Sequence, residues 1–411
     1  MARVLDRRHA IARVAVGMLL GGLVACGGNP NEVTYSAPNS VVVADFLGNG
    51  YNDIAVASAV VSNGGNESPG FVAFVEQDTA TPGTFKTAVH FPIQANPSCM
   101  AVGDMSGAGS VDIAVGNFDK GTISVLLQTS PHANTFQPAV NVATGGKPND
   151  CALADLNGDG RLDLAIADGA VAGNLIILMA DPSAPGKFGT PVPLALPYTG
   201  YGVAVGDLNG DGLPDIAVTS FDVNSSNGTV SIFFQDPAHP GSFLPRVDLA
   251  APGQPTAVRI ADIDKDGFND LAISTLGPGG DALGVPGVLV MLQNSSAPGT
   301  FLASTTLLGA PALSLAVADL NQDGFPDIVT VSSYPQGTGT ITIFPQIATA
   351  PGTFNTPVAL SGLGNPVSVA VGDLNHDNIA DMGFADATGA AIMTQSTATA
   401  GSFSSSTEVG H

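Results

Sequence analysis

An acidic nine-residue pattern recurs seven times along this chain, and its spacing limits the possible folds more than any other feature. The first aspartate of each copy falls at Asp45, Asp104, Asp155, Asp207, Asp262, Asp319 and Asp373, at intervals of 59, 51, 52, 55, 57 and 54 residues. Units of that length are too long for most solenoids and suit a four-stranded propeller blade. The fourth unit shows the layout most clearly. An apolar run from Gly202 to Gly206 leads into Asp207, Asp215–Val218 follows the loop, and Gly228–Gln235 is the third run. Pro240-Gly241-Ser242-Phe243 then breaks the chain and opens a fourth run through Ala250. All four have strand length, turn residues between them and no helical period. The Pro-Gly-x-Phe break returns at Pro82–Phe85, Pro185–Phe188, Pro298–Phe301 and Pro351–Phe354, with weaker forms ending at Phe136 and Phe403.

The sequence therefore predicts an all-β chain: one seven-bladed β-propeller of four-stranded antiparallel blades. The blades span about 39–97, 98–148, 149–199, 200–254, 255–311, 312–365 and 366–411. Small residues precede every loop aspartate (Ala44, Gly103, Ala154, Gly206, Ala261, Ala318 and Gly372), as expected where strands crowd a central axis. For closure of the ring, Gly401–Val409 offers the last blade its own fourth strand, and Glu32–Ser36 offers an alternative edge strand.

Within a loop such as Asp155-Leu156-Asn157-Gly158-Asp159-Gly160-Arg161-Leu162-Asp163, an oxygen-bearing side chain stands at every second position. Gly160 permits a sharp turn, the Arg161 carbonyl can point inward and Asp163 closes the shell. Ca²⁺ takes ~6–8 oxygen ligands and tolerates this mixture of carboxylate, amide and carbonyl. Asx-rich turns are also ordinary strand connectors, so one copy alone would decide little.

These units resemble the FG-GAP repeats of integrin α-subunit head propellers and their secreted bacterial relatives, from about Ser40 onward. The resemblance implies calcium in the loop between the first two strands of a blade, and it says little about ligand. Five loops carry the full set. Blade 3 has Asp155, Asn157, Asp159, Arg161 and Asp163; blade 4 has Asp207, Asn209, Asp211, Leu213 and Asp215. In blade 5 the set is Asp262, Asp264, Asp266, Phe268 and Asp270, the most acidic. Blade 6 offers Asp319, Asn321, Asp323, Phe325 and Asp327; blade 7 offers Asp373, Asn375, Asp377, Ile379 and Asp381. Asn378 of blade 7 stands where glycine is usual, a left-handed position that Asn tolerates. Leu47 and Asn49 in blade 1, and Ser106 and Ala108 in blade 2, replace ligands, so those loops should bind calcium weakly or not at all. About five ions are expected.

The first 25 residues read as an export signal: Arg3, Arg7, Arg8 and Arg13 precede the short apolar run Val14–Ala25. Leu23-Val24-Ala25-Cys26 resembles a bacterial lipobox, which implies a lipid on Cys26 and a place in the cell envelope, at the outer membrane. Residues 26–38 then read as a tether, thirteen residues that reach roughly 40 Å at ~3.3 Å each. The signal holds four of the 12 Lys+Arg and one of the 35 Asp+Glu, which leaves a mature charge of −26. Such a chain is a poor partner for nucleic acid, because little in it would neutralise phosphates. The five loops hold 16 of the 34 mature carboxylates, and five Ca²⁺ would bring −26 to −16.

Cys99 and Cys151 lie five and four residues before their loop aspartates, so strand alternation points them to opposite faces. Two buried, unpaired thiols are expected. Phe118, Tyr198, Tyr201, Phe221 and Tyr334 are assigned to loops on the face away from the acidic loops, beside Asp119, Asp222 and Asn224–Asn227. They are the candidates for contacting a glycan or protein ligand. No zinc-like histidine spacing, Gly-x-Ser-x-Gly elbow or phosphate-cradling loop is present. The enzymatic alternative is a polysaccharide lyase using Lys120 and Arg259. The reading is a non-enzymatic, monomeric binding or adhesion module, with a purely structural envelope module as the other alternative.

Overall fold

The computed structural model describes residues 34–61, 69–222, 227–277, 287–333, 339–386 and 389–409. The export signal, the lipobox with Cys26, and Tyr334 lie outside the described residues. Seven four-stranded antiparallel sheets form the blades, each with its strands in chain order from axis to rim. No helix of the described residues is long and apolar enough to cross a membrane.

Burial follows radial position. Second strands such as Asp163–Asp168 and Asp327–Ser332 are buried along their whole length, because both faces pack against neighbouring blades. Fourth strands such as Val140–Ala143 are largely exposed at the rim. The core is accordingly a ring of separate apolar clusters, one between each pair of blades. Ala55, Val72 and Phe74 of blade 1 meet Met100, Ile113 and Val115 of blade 2 in one such cluster. The small residue before each loop aspartate has a steric cause at Gly206, where an added Cβ would lie 2.8 Å from Ile260 Cγ2 of the next blade.

Closure uses the last blade's own strand. Thr407–Val409 pairs with Gly389–Met393, while Thr34 and Tyr35 pair with Val61 and Val60 of blade 1. The first strand of blade 1 thus begins at Thr34 and takes in five residues read as tether. Blades 1 and 7 join through Val41, Ile54 and Val56 packed on Ala385, Ala390 and Ile392. Polar links across the same boundary run from Asn52 Nδ2 to the Asp373 carbonyl at 3.1 Å and from Gln77 Nε2 to the Leu374 carbonyl at 2.7 Å.

Contrary to the expectation of free thiols, Cys99 and Cys151 form a disulfide, with Cα atoms 5.9 Å apart. They do point to opposite faces of their own blades. In a ring, however, one face of blade 2 confronts the opposite face of blade 3, so opposite parity brings the two sulfurs together. Both sit in the shared cluster with Ile123 and Val125 on one side and Leu164 and Ile166 on the other. The bridge closes 52 residues, for which chain entropy predicts about 4 kcal/mol of stabilisation. Cys99→Ala with Cys151→Ala should lower the melting temperature by about 5 °C. An unchanged melting temperature, or two thiols titrating in the denatured, unreduced protein, would refute the bridge.

Candidate metal centre and the channel mouth

Each acidic loop is built by its own carboxylates before any ion is considered. In blade 3, Asp155 Oδ1 accepts from the backbone N–H of Gly158 and Asp159 at 2.8 and 3.0 Å, and its Oδ2 accepts from Gly160 at 2.8 Å. The second residue of each loop (Phe46, Met105, Leu156, Leu208, Ile263, Leu320 and Leu374) is buried and plugs the loop into the core. Asn378 takes φ 64°, as its position requires. The fourth position is also left-handed, and non-glycine residues occupy it at Lys265, Gln322 and His376. That requirement was not evident from the sequence.

The closing aspartate does two jobs. Asp163 Oδ2 accepts from Leu156 N at 2.9 Å, and Oδ1 accepts from Ala180 N, at the end of the third strand, at 2.7 Å. Asp215, Asp270, Asp327 and Asp381 repeat the arrangement, bonding Gln235, Gln293, Gln346 and Gln395. In the two loops lacking a full ligand set, Asp53 and Asp112 keep the third-strand bond, to Gln77 N and Gln128 N, but Asp112 Oδ2 accepts from Ser106 N and Asp53 Oδ2 has no hydrogen-bond partner. These carboxylates are therefore structural staples, whatever else they hold. Burial pushes Asp163, Asp215, Asp270, Asp327 and Asp381 up to about 6 against the backbone hydrogen bonds that lower them. Charges at the other loop carboxylates add to the rise. Asp53 reaches about 7, again chiefly through burial.

Neighbouring blades complete each loop. Six of the seven third strands are followed by a glutamine: Gln77, Gln128, Gln235, Gln293, Gln346 and Gln395. Gln235 Nε2 donates to the Leu156 carbonyl in the loop of blade 3 at 2.8 Å, and Gln128 and Gln346 reach Phe46 and Ile263 in the same way. Blade 3 has Ala180 at this place, and Gly186 N bonds the Met105 carbonyl directly. In blades 1, 4, 5, 6 and 7 the turn glycine also covers the third loop residue of the preceding blade; a Cβ on Gly241 would lie 3.2 Å from Asn157 Cβ. The glutamine was legible as a Gln-x7-Phe spacing beside the Pro-Gly-x-Phe signal, yet its role needs the neighbouring blade.

Blade 5 fits a hard cation best. Carboxylate oxygens of Asp262, Asp264 and Asp270 lie within 4.8 Å of one another. Asp262 Oδ1 is buried and has no hydrogen-bond partner, so it presents an unsatisfied anionic oxygen. Burial, followed by the charges of Asp266 and Asp262, raises the Asp264 carboxyl. A divalent ion would relieve all three effects. Blade 2 fits poorly: the Ser106 hydroxyl bonds Asp104 at 3.1 Å and Ser110 at 3.0 Å, filling the space with neutral groups.

The aromatic candidates divide. Tyr201 and Phe221 lie in strands, Thr199–Gly206 and Asp215–Asp222, and not in loops as expected. Their rings stack at 4.0 Å and 14°, and Phe221 is buried. With Phe118 they line an axial cavity of about 690 Å³. Phe118 is half-buried beneath Lys147, whose Nζ lies 5.2 Å from the ring centroid. Tyr198 is half-buried just before its strand. Asp119 accepts from Asn96 Nδ2 at 2.8 Å. Residues 223–226 fall outside the described residues. Lys120 is exposed in the turn after Asp112–Asn117, whereas Arg259 lines the cavity and Lys120 does not. The structure does not bring the two lyase candidates into one site.

Seven equivalent blades, each with a carboxylate loop joining its first two strands, define a repeat β-propeller. The family model described as "FG-GAP-like repeat" matches residues 104–166 and 319–384, and that described as "FG-GAP repeat" matches 199–233. The chain is an FG-GAP repeat propeller. Such a fold is a ligand-binding or structural module. No curated protein matches the chain. A solved chain titled "Structure of Dos1 propeller" is similar at 12% identity, covering 89% of this chain and 93% of that one, with a TM-score of 0.46.

Proposed function

We propose that this protein is a calcium-loaded binding module of the bacterial cell envelope, held to the outer membrane by a lipid on Cys26, that presents the face away from its acidic loops to a glycan or protein. The observation that carries the calcium part is the blade 5 triad with its unpartnered Asp262 oxygen. Asp262, Asp264, Asp266, Asp270 and the Phe268 carbonyl would hold the ion there, and their counterparts would do so in blades 3, 4, 6 and 7. The ion supplies positive charge to a carboxylate cluster that the backbone already shapes. Assignment of ligand binding to the other face rests on division of labour: the acidic loops and Pro-Gly turns are occupied in joining one blade to the next.

A glycan and peptide array probed with and without calcium tests the reading. Phe118→Ala and Tyr198→Ala are expected to weaken any binding so found by at least about tenfold, as loss of an aromatic anchor does. Calcium affinity, measured by calorimetry on the same variants, should not move. An array silent under both conditions would leave a structural module, and release of a new ultraviolet absorbance from uronic-acid polymers would restore the lyase.

A further inference from the structure

The axial cavity carries a departure from the repeat that neither the fold nor the loops require. Three residues before the loop aspartate, five innermost strands carry alanine (Ala101, Ala152, Ala204, Ala316, Ala370) and the first carries Val42. In blade 5 the residue is Arg259. Small side chains suit a register where seven strands converge, so a guanidinium there needs a reason of its own. Among the described residues that line the cavity, Arg259 and Asp150 are the charged ones. They belong to blades 5 and 3, on either side of blade 4, whose stacked Tyr201 and Phe221 face the same space.

Burial raises the Asp150 carboxyl and the Arg259 guanidinium lowers it, so the two groups already attract each other across the cavity, and they differ in how far hydrogen bonds satisfy them. Asp150 Oδ1 accepts from Cys151 N at 2.9 Å and Oδ2 from Val203 N of blade 4 at 3.0 Å. Arg259 donates Nη1 to the Val258 carbonyl at 2.8 Å, its one hydrogen bond among the described residues. A guanidinium has five N–H donors, and those left over match a carboxylate bidentately. Asp150 retains lone pairs after its two backbone bonds, enough to accept from an ammonium group. The volume of about 690 Å³ suits a small molecule, within the roughly 300–1,000 Å³ of ordinary ligand sites. One cation, one anion and an aromatic wall are complementary to a molecule carrying both charges and an apolar body.

We propose that the axial cavity binds a small zwitterion, a free α-amino acid with an aromatic or apolar side chain, its carboxylate on Arg259 and its ammonium on Asp150. The site shares no residue with the acidic loops; with the outer face it shares Phe118, which lines the cavity, whereas Arg259 and Asp150 belong to the cavity alone. The protein contains no tryptophan, so the emission of L-tryptophan can be followed without background. Titration of the full chain into L-tryptophan, in millimolar calcium, should give a saturable rise in fluorescence anisotropy. N-acetyl-L-tryptophan, which lacks the positive charge, and L-tryptophan methyl ester, which lacks the negative one, should each bind at least about tenfold more weakly. Arg259→Met and Asp150→Asn should impose losses of the same size on L-tryptophan. Absence of saturation up to about 0.5 mM protein, or equal binding of either blocked derivative, would overturn the proposal. The derivatives are tested on the unaltered protein, so the outcome holds even if a variant fails to fold.

Discussion

Chelation with EDTA should lower the melting temperature of this protein by on the order of 15 °C. Each ion at a hundredfold excess over its dissociation constant adds about 2.7 kcal/mol to the folded state, so five add on the order of 13 kcal/mol. Divided by the unfolding entropy of a chain this long, that is a shift of on the order of 15 °C. The apo protein should also respond to pH in an unusual sense. Asp163, Asp215, Asp270, Asp327 and Asp381 titrate near 3.8 when unfolded and about 6 when folded. Between those values the folded state binds more protons, so its stability falls as pH rises, and above about 6 the whole penalty is present. In EDTA the melting temperature should therefore drop from pH 5 to pH 7.5. In calcium the drop should vanish or reverse, because the ion needs the ionised carboxylates. Scanning calorimetry over the four conditions decides the matter, and equal melting temperatures with and without calcium would remove the metal from the account.

The second large effect separates staple from ligand. Replacing Asp215 by alanine strips acceptors from the buried N–H groups of Leu208 and Gln235, both bonded at 2.8 Å. Each orphaned donor costs about 1–3 kcal/mol, so Asp215→Ala should lose about 2–6 kcal/mol even in EDTA. Asp112→Ala likewise removes two supports, to Ser106 N and Gln128 N, from a loop not expected to hold an ion. Its loss in EDTA should be comparable. Calorimetric titration then distinguishes them: Asp215→Ala should bind one ion fewer than the parent, and Asp112→Ala the same number. Full stoichiometry in Asp215→Ala would leave that carboxylate as a staple alone.

The sequence made the blade readable and left the relations between blades obscure. Periodic aspartates, strand-length runs and Pro-Gly-x-Phe breaks are local signals, and each led to an element that the structure contains. Cys99 and Cys151 show the limit: their parity was read correctly, but the inference needed to know that opposite faces of adjacent blades meet. The glutamines after the third strands act on a loop some eighty residues earlier, as from Gln235 to Leu156, so no local pattern shows their partner. Tyr201 and Phe221 looked like loop aromatics because they flank a variable segment. The strands extend further than the repeat core and carry both rings into the channel wall. Arg259 was conspicuous only as a rare cation; its place among alanines emerges when the seven innermost strands are aligned.

Because the first strand of blade 1 runs towards its acidic loop and the last strand of blade 7 runs away from one, Thr34 and Val409 leave the ring on the same side, opposite the acidic loops. With a lipid on Cys26, the eight residues 26–33 would allow a gap of at most about 26 Å between that side and the bilayer. The calcium loops, with 16 of the 34 mature carboxylates, would then point outward, and the aromatic side would look down on the lipid headgroups. Such a gap admits an extended polysaccharide or peptide lying along the membrane and excludes a second globular domain. An anchor at Cys26 would thus select the shape of the partner before its chemistry is known.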